Sequence, residues 1–136
     1  MLGDCYKNGQ GVERSYEESV KWYKMAIDNN FIYAYVSLGK LYEAGQGVEK
    51  SYEKAIELYN IAAKHNYKKA MRCLGDCYRY GLGVKRSYNN TIKWYKMASN
   101  DYGQEAQEVK MLLKEIYEEG GSNLLNKIRF RFGFLK

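Results

Sequence analysis

Apolar residues recur along this chain with two nested periods. The short period is helical. Ala34, Leu38, Leu41 and Tyr42 stand at i, i+4, i+7 and i+8, one face of a helix (helix A) predicted from about Ile32 to Ala44. Tyr52, Ile56, Tyr59 and Ala63 stand at i, i+4, i+7 and i+11 and predict a second helix (helix B). Tyr16, Val20, Tyr23 and Ile27 make the same face before it; Tyr88, Ile92, Tyr95 and Ser99 make it after. The last column shrinks from Ile27 to Ala63 to Ser99, so packing is expected to vary along the chain.

The long period is 36 residues. Leu2-Gly3-Asp4-Cys5-Tyr6, Leu38-Gly39-Lys40-Leu41-Tyr42 and Leu74-Gly75-Asp76-Cys77-Tyr78 are in register, since 39 − 3 = 36 and 75 − 39 = 36. Each is followed by a loop: Gly9-Gln10-Gly11-Val12, Gly45-Gln46-Gly47-Val48 and Gly81-Leu82-Gly83-Val84. A fixed period of about 20–50 residues marks a repeat array, in which each unit buries its apolar face against its neighbours. Phased on Leu-Gly, the chain reads as one solenoid domain over 1–136. Repeat one is 1–37, with the front of its first helix missing; repeat two is 38–73 and repeat three is 74–109. A degenerate fourth repeat and a tail fill 110–136.

Local chemistry supports the helix pairs. Glycine tolerates the left-handed conformation that commonly ends a helix, which suits the loops. Ser15, Ser51 and Ser87 stand where helix B begins and are favoured N-caps. Only Ser15 has a glutamate three residues on, Glu18, to complete a capping box. Gly3, Gly39 and Gly75 lie inside helix A, where glycine costs about 1 kcal/mol against alanine. Recurrence in every unit implies a steric reason. Helix B is expected to pack on that bare backbone through Trp22, Leu58 or Trp94 with the tyrosine that follows each, and Ala26, Ala62 and Ala98 serve the same close approach.

The register fails after Ala106. The leucine due at 110 is lysine, and the apolar face resumes as Val109, Leu112, Leu113, Ile116 and Tyr117. About three residues, nearly one helical turn, have been inserted. Lys114 stands where the glycine is due, so this helix is expected to be an end cap. After Gly120-Gly121-Ser122, Leu124, Leu125, Ile128 and Phe132 fit a helix turn, while Arg129-Phe130-Arg131-Phe132 alternates like a strand.

Composition narrows the class. The chain has 136 residues, no proline and 15 tyrosines, consistent with an uninterrupted helical array. The formal charge is +6, but all 16 acidic residues precede residue 120. Residues 1–119 balance at 18 − 16 = +2, and the tail supplies the other +4 through Lys127, Arg129, Arg131 and Lys136. No 18-residue apolar run predicts a membrane span, and no basic-then-apolar signal peptide opens the chain. Three cysteines make no disulfide framework. The chain reads as soluble and intracellular. Met1 falls inside a repeat, as expected of a fragment of a longer array, and the bare front end is a surface for self-association.

The repeated unit resembles the Sel-one-like repeat, a relative of the tetratricopeptide repeat. That family's Leu-Gly-x-x-Tyr, Gly-x-Gly-Val and aromatic-Tyr elements stand here as Leu38-Gly39 with Tyr42, Gly45-Gln46-Gly47-Val48 and Leu58-Tyr59, with Ala62 as the small residue. Trp22-Tyr23 and Trp94-Tyr95 replace Leu58-Tyr59 in the flanking units. The match covers 2–109. It implies an all-α fold, a right-handed α-α superhelical solenoid of antiparallel helix pairs (TPR-like), and scaffold or adaptor duty for a protein or peptide partner. Some cysteine-rich bacterial members bind or hydrolyse β-lactams. Cys5, Cys73 and Cys77 do not reproduce their regular bridges.

The candidate chemistry is sparse. His65, the sole histidine, lies near the end of helix B, where a cation-capable residue suits the helix dipole, and has no partners to complete a catalytic constellation. Cys5 and Cys77 share the column of Leu41 and read as small core residues. Cys73 and Cys77, at i and i+4, are half a zinc site without a second pair. No catalytic residue, cofactor or metal is assigned. Asp4 with Lys7, Lys40 with Glu43, and Asp76 with Arg79 are i, i+3 pairs whose polarity flips in the middle unit. They are either self-neutralising surface pairs or a concave strip of alternating charge that reads a partner, and these six are the candidate partner-binding residues. The basic-aromatic tail could bind nucleic acid through phosphate contacts and stacking. It reads first as a cover for the open end of the array.

Overall fold

The computed structural model of the chain describes residues 2–10, 15–99, 110, 111, 113–115 and 118. Six helices follow one another: α1 (Leu2–Asn8), α2 (Tyr16–Asp28), α3 (Tyr33–Ala44), α4 (Tyr52–Lys64), α5 (Lys68–Tyr80) and α6 (Tyr88–Ala98). No strand occurs among the described residues. α1, α3 and α5 are the A helices, and α2, α4 and α6 the B helices. Each helix packs on the one before it and the one after it in the chain, the arrangement of a solenoid. Unit boundaries at 37/38 and 73/74 fall inside α3 and α5, because the period was phased on Leu-Gly; the helix pairs themselves begin near 32 and 68.

Local sequence sets both kinds of helix end. The B helices start at Ser15, Ser51 and Ser87, whose hydroxyls accept from the backbone N–H of Glu18, Lys54 and Asn90 at 3.3, 3.2 and 3.3 Å. The N–H of each cap serine donates to a tyrosine carbonyl of the A helix before it: Tyr6, Tyr42 and Tyr78, at 2.9, 3.0 and 2.9 Å. That corrects the capping box expected at Ser15. Its single N–H is already bonded to Tyr6, so Glu18 has no reciprocal role to fill. The A helices end on left-handed glycines, Gly45 at φ +66° and Gly81 at φ +68°.

The turns from B to A use asparagine instead. Asn30 and Asn66 sit at φ +63° and +61°, the left-handed region that asparagine enters more readily than most residues. Phe31 N–H bonds Ala26 O at 3.0 Å and Asn30 N–H bonds Ile27 O at 2.9 Å, and Tyr67 and Asn66 repeat the pair on Ala62 and Ala63. This is the double bond of the Schellman motif.

The glycine inside each A helix is a socket for a ring. A Cβ on Gly3, Gly39 or Gly75 would stand nearer than 3.0 Å to carbons of Tyr23, Tyr59 and Tyr95 respectively. The three tyrosines are fully buried. The tyrosine of each pair makes this contact; Trp22, Leu58 and Trp94 beside it are only half-buried. Ala26, Ala62 and Ala98 are buried, as close helix approach requires.

The loops also join the units. Gly47, at φ +74°, lies so close to the first turn of α2 that a Cβ would meet the Tyr16 carbonyl carbon at 2.5 Å. At Gly83, φ +72°, it would meet Tyr52 Cβ at 2.8 Å and Ile56 Cδ1 at 3.0 Å. The second glycine of the loop is therefore more than a turn residue. It lets one unit rest on the B helix of the unit before.

Residues 110, 111, 113–115 and 118 are helical, and Leu113 is buried. The rest of the expected end cap (Val109, Leu112, Ile116, Tyr117), the loop at Gly11-Val12 and the tail after Gly121 lie outside the described residues.

Candidate functional site

The structure brings the six charged candidates onto the three A helices, at equivalent places in successive units. Asp4, Lys40 and Asp76 form one column; Lys7, Glu43 and Arg79 form the next. The two flanking units use this column internally. The Tyr23 hydroxyl donates to Asp4 Oδ1, and the Tyr95 hydroxyl donates to Asp76 Oδ1. The buried ring in the glycine socket thus ends on a carboxylate of the same A helix. Arg79 is also committed: its side chain is 5% exposed, pairs with Glu115 Oε2 at 3.5 Å and lies against the Tyr80 ring at 5.1 Å.

The middle unit differs. Lys40 replaces the aspartate, and the buried Tyr59 hydroxyl, which makes no well-aligned hydrogen bond, lies beside the Glu43 carboxylate instead. Lys40 Nζ stands 3.8 Å from Glu43 Oε2 and 6.0 Å from the Tyr59 ring centroid. The Cys77 thiol donates to Glu43 Oε1 at 3.8 Å. Lys40 keeps 43% of its side-chain surface exposed and Glu43 keeps 20%.

The cysteines are free thiols, buried at Cys73 and Cys77 and half-buried at Cys5. His65 caps the exposed end of α4. No group of three or more potential metal ligands occurs among the described residues. No described helix is long and apolar enough to cross a membrane.

Burial decides the titration of this region. It raises the tyrosines well above their ordinary value, with Asp4 adding to the effect at Tyr23, Asp76 at Tyr95 and Glu43 at Tyr59. Burial, then Glu43, pushes Cys77 up to about 12 from an ordinary 9.0. Each of these groups binds its proton more tightly folded than unfolded. Its stabilising effect is complete below the unfolded pKa and is lost as pH rises toward the folded one, at about 1.4 kcal/mol per pH unit per group. Urea midpoints should hold from neutral pH to about 9, then fall first with Cys77 and more steeply above about 10, where unfolded tyrosine ionises. A midpoint unchanged up to pH 11 would contradict these burial assignments.

The aspartate-tyrosine bonds could have been sought in the sequence. Asp4 and Tyr23 are 19 residues apart, as are Asp76 and Tyr95. That spacing becomes a contact only once the glycine socket has placed the ring. Burial of Arg79 had no local signal, since its partner Glu115 lies beyond the third unit.

The Sel1 repeat profile matches residues 1–31, 32–67 and 68–101. Among curated proteins, none matches. A Sel1 repeat protein from Oxalobacter formigenes is similar in structure, with a TM-score of 0.77 and 33% identity over 88% of this chain and 48% of that one. So is c5321, a protective antigen present in uropathogenic Escherichia coli strains and displaying an SLR fold, with a TM-score of 0.77 and 30% identity over 88% of this chain and 25% of that one. The chain therefore spans about half the length of the first and a quarter of the second. With three matched repeats that coincide with its three helix pairs, the chain belongs to the Sel1 repeat family.

Proposed function

We infer that the protein is a non-enzymatic scaffold, one solenoid domain over residues 1–136, which holds a protein or peptide partner along its A helices. No bond is made or broken; recognition rests on shape and charge. Membership of the Sel1 repeat family supports this reading, as does the extended surface that stacked repeats offer. The observation that carries it is the contrast between units. Asp4 and Asp76 accept from buried tyrosines and Arg79 is buried and pairs with Glu115, whereas in the middle of the array Lys40 pairs loosely with Glu43 and keeps 43% of its side-chain surface exposed. The centre of recognition is therefore Lys40 and Glu43, with Asp4, Lys7, Asp76 and Arg79 shaping the strip on either side.

Reversing both central charges, Lys40→Asp with Glu43→Lys, recreates the Asp4–Lys7 order of unit one. The helical circular dichroism of the variant should match the parent, while partners recovered by affinity capture with the parent should be lost. Equal recovery by the two proteins would remove the strip from consideration.

A further inference from the structure

The B helices start along one edge of the array, and the glycine loops complete that edge. A Cβ on Gly47 would touch the main chain of Tyr16 and Glu17 in the first turn of α2, and one on Gly83 would touch Tyr52 in the first turn of α4. The edge is therefore continuous from unit to unit. Along it stand Glu17 and Glu18 at the start of α2, Glu49 and Lys50 in the next loop, Glu53 and Lys54 at the start of α4, and Lys85 and Arg86 in the last loop. All are exposed except the half-buried Glu18. Among the described residues, none of them forms an ion pair within the chain. Asn89 and Asn90, at the start of α6, carry no charge. Glu13 and Arg14 lie outside the described residues and cancel in sign.

The order of these charges is informative. Unit one contributes two acids, unit two contributes two of each sign, and unit three contributes two bases, so the balance runs −2, 0 and +2. In chain order the edge reads acid, acid, acid, base, acid, base, base, base. Reversed, with acid and base exchanged, the same order returns. The edge is neutral as a whole, which does not suit a polyanion or a polycation, yet it is complementary to its own copy laid antiparallel. We propose that two copies of this chain pair along this edge about a twofold axis. Glu17 and Glu18 of each copy face Arg86 and Lys85 of the other, and Glu49 and Lys50 face Lys54 and Glu53.

A twofold interface shows the same patch from both sides, so every contact occurs twice. Complementary charge steers the encounter and fixes the register; a parallel pairing would set Glu17 and Glu18 against their own copies. Rings hold two of the bases on the edge. Lys50 Nζ lies 5.0 Å from the Tyr52 ring centroid, and the Arg86 guanidinium lies 4.6 Å from that of Tyr88. Half-buried Tyr16, Tyr52 and Tyr88, with exposed Tyr80 just ahead of Gly81, set apolar area among the charges. Tyrosine and arginine are enriched at protein interfaces. Exposed ion pairs contribute little singly and are screened by salt, so the dimer is weak and salt-sensitive.

This inference goes beyond the scaffold reading and does not rest on it. Sedimentation velocity over a range of concentrations tests it. At about 0.01 M salt the mass should rise to that of two chains and stop; at about 1 M it should return to that of one. Glu17→Lys with Glu18→Lys makes both ends of the edge basic, and Lys85→Glu with Arg86→Glu makes both acidic. Each variant alone should stay monomeric at low salt. An equimolar mixture of the two should restore the dimer, which a fold damaged by either pair of substitutions could not do. The parent's own salt response decides the matter even if a variant misfolds. A parent that stays monomeric at low salt, a dimer indifferent to salt, variants that dimerise alone as the parent does, or folded variants that fail to pair when mixed would each overturn the proposal. Mass that keeps growing past two chains would overturn it as well, since contact of unit three on unit one from head to tail does not close.

Discussion

Gly47→Ala should destabilise the protein by about 3 kcal/mol. Two effects add at this position. The backbone is left-handed, φ +74°, which costs a residue with a Cβ about 1–2 kcal/mol. The new methyl would also press on the Tyr16 main chain at 2.5 Å, and overpacking costs about 1–3 kcal/mol. A main chain in the first turn of α2 yields less readily than the tip of a side chain. Gly81→Ala is the internal control. Its φ is similar at +68°, but its Cβ would find nothing nearer than 3.5 Å, so only the backbone cost of about 1–2 kcal/mol remains. Urea denaturation of both variants measures the difference. Equal losses would show that Gly47 is an ordinary turn glycine and that the loop does not bear on the preceding unit.

Tyr59→Ala should cost more, about 3–5 kcal/mol, the range for emptying a large aromatic site in a core. Tyr59 is fully buried and belongs to the cluster that spans α3 to α6, with Val36, Ala63, Leu74 and Ala98 among its members. Its loss opens a cavity where units two and three meet. Tyr59→Phe keeps the ring and removes a hydroxyl that lies beside the Glu43 carboxylate without a well-aligned bond, so it should cost no more than about 1 kcal/mol. Thermal and urea denaturation of the two variants separate ring from hydroxyl. A large loss in Tyr59→Phe would show that the hydroxyl contributes bonding that the geometry does not reveal.

The parts of this fold that were legible in the sequence are those with local causes. A serine before an apolar stripe caps a helix by itself, and Ser15, Ser51 and Ser87 do so. A glycine after the stripe ends a helix by itself, and Gly45 and Gly81 do so. The recurring glycine inside the A helix announced a close approach. It could not say which residue of an aromatic pair arrives, because neighbouring positions on a helix point about 100° apart. Nothing near Gly47 revealed its contact with Tyr16, a residue 31 positions earlier in the previous unit. Glu18 matched the capping-box spacing, yet a backbone bond from the other helix of its pair had already taken the Ser15 N–H. The candidate site divides in the same manner. The charge flip at Lys40 and Glu43 stood in the sequence. Its consequence for Tyr59 required knowing that each ring reaches across to the A-helix column.

The ring-in-socket contact repeats with the 36-residue period and sets each A helix against its B helix. A double-mutant cycle tests it most directly. Gly39→Ala is measured by urea denaturation in the parent and again in Tyr59→Leu, which removes the ring yet keeps an apolar side chain. In the parent the added methyl should destabilise, because overpacking outweighs the roughly 1 kcal/mol that alanine gains in a helix. In Tyr59→Leu the same methyl should be neutral or stabilise by up to about 1 kcal/mol. An equal cost in both backgrounds would mean that Gly39 and Tyr59 do not meet as described.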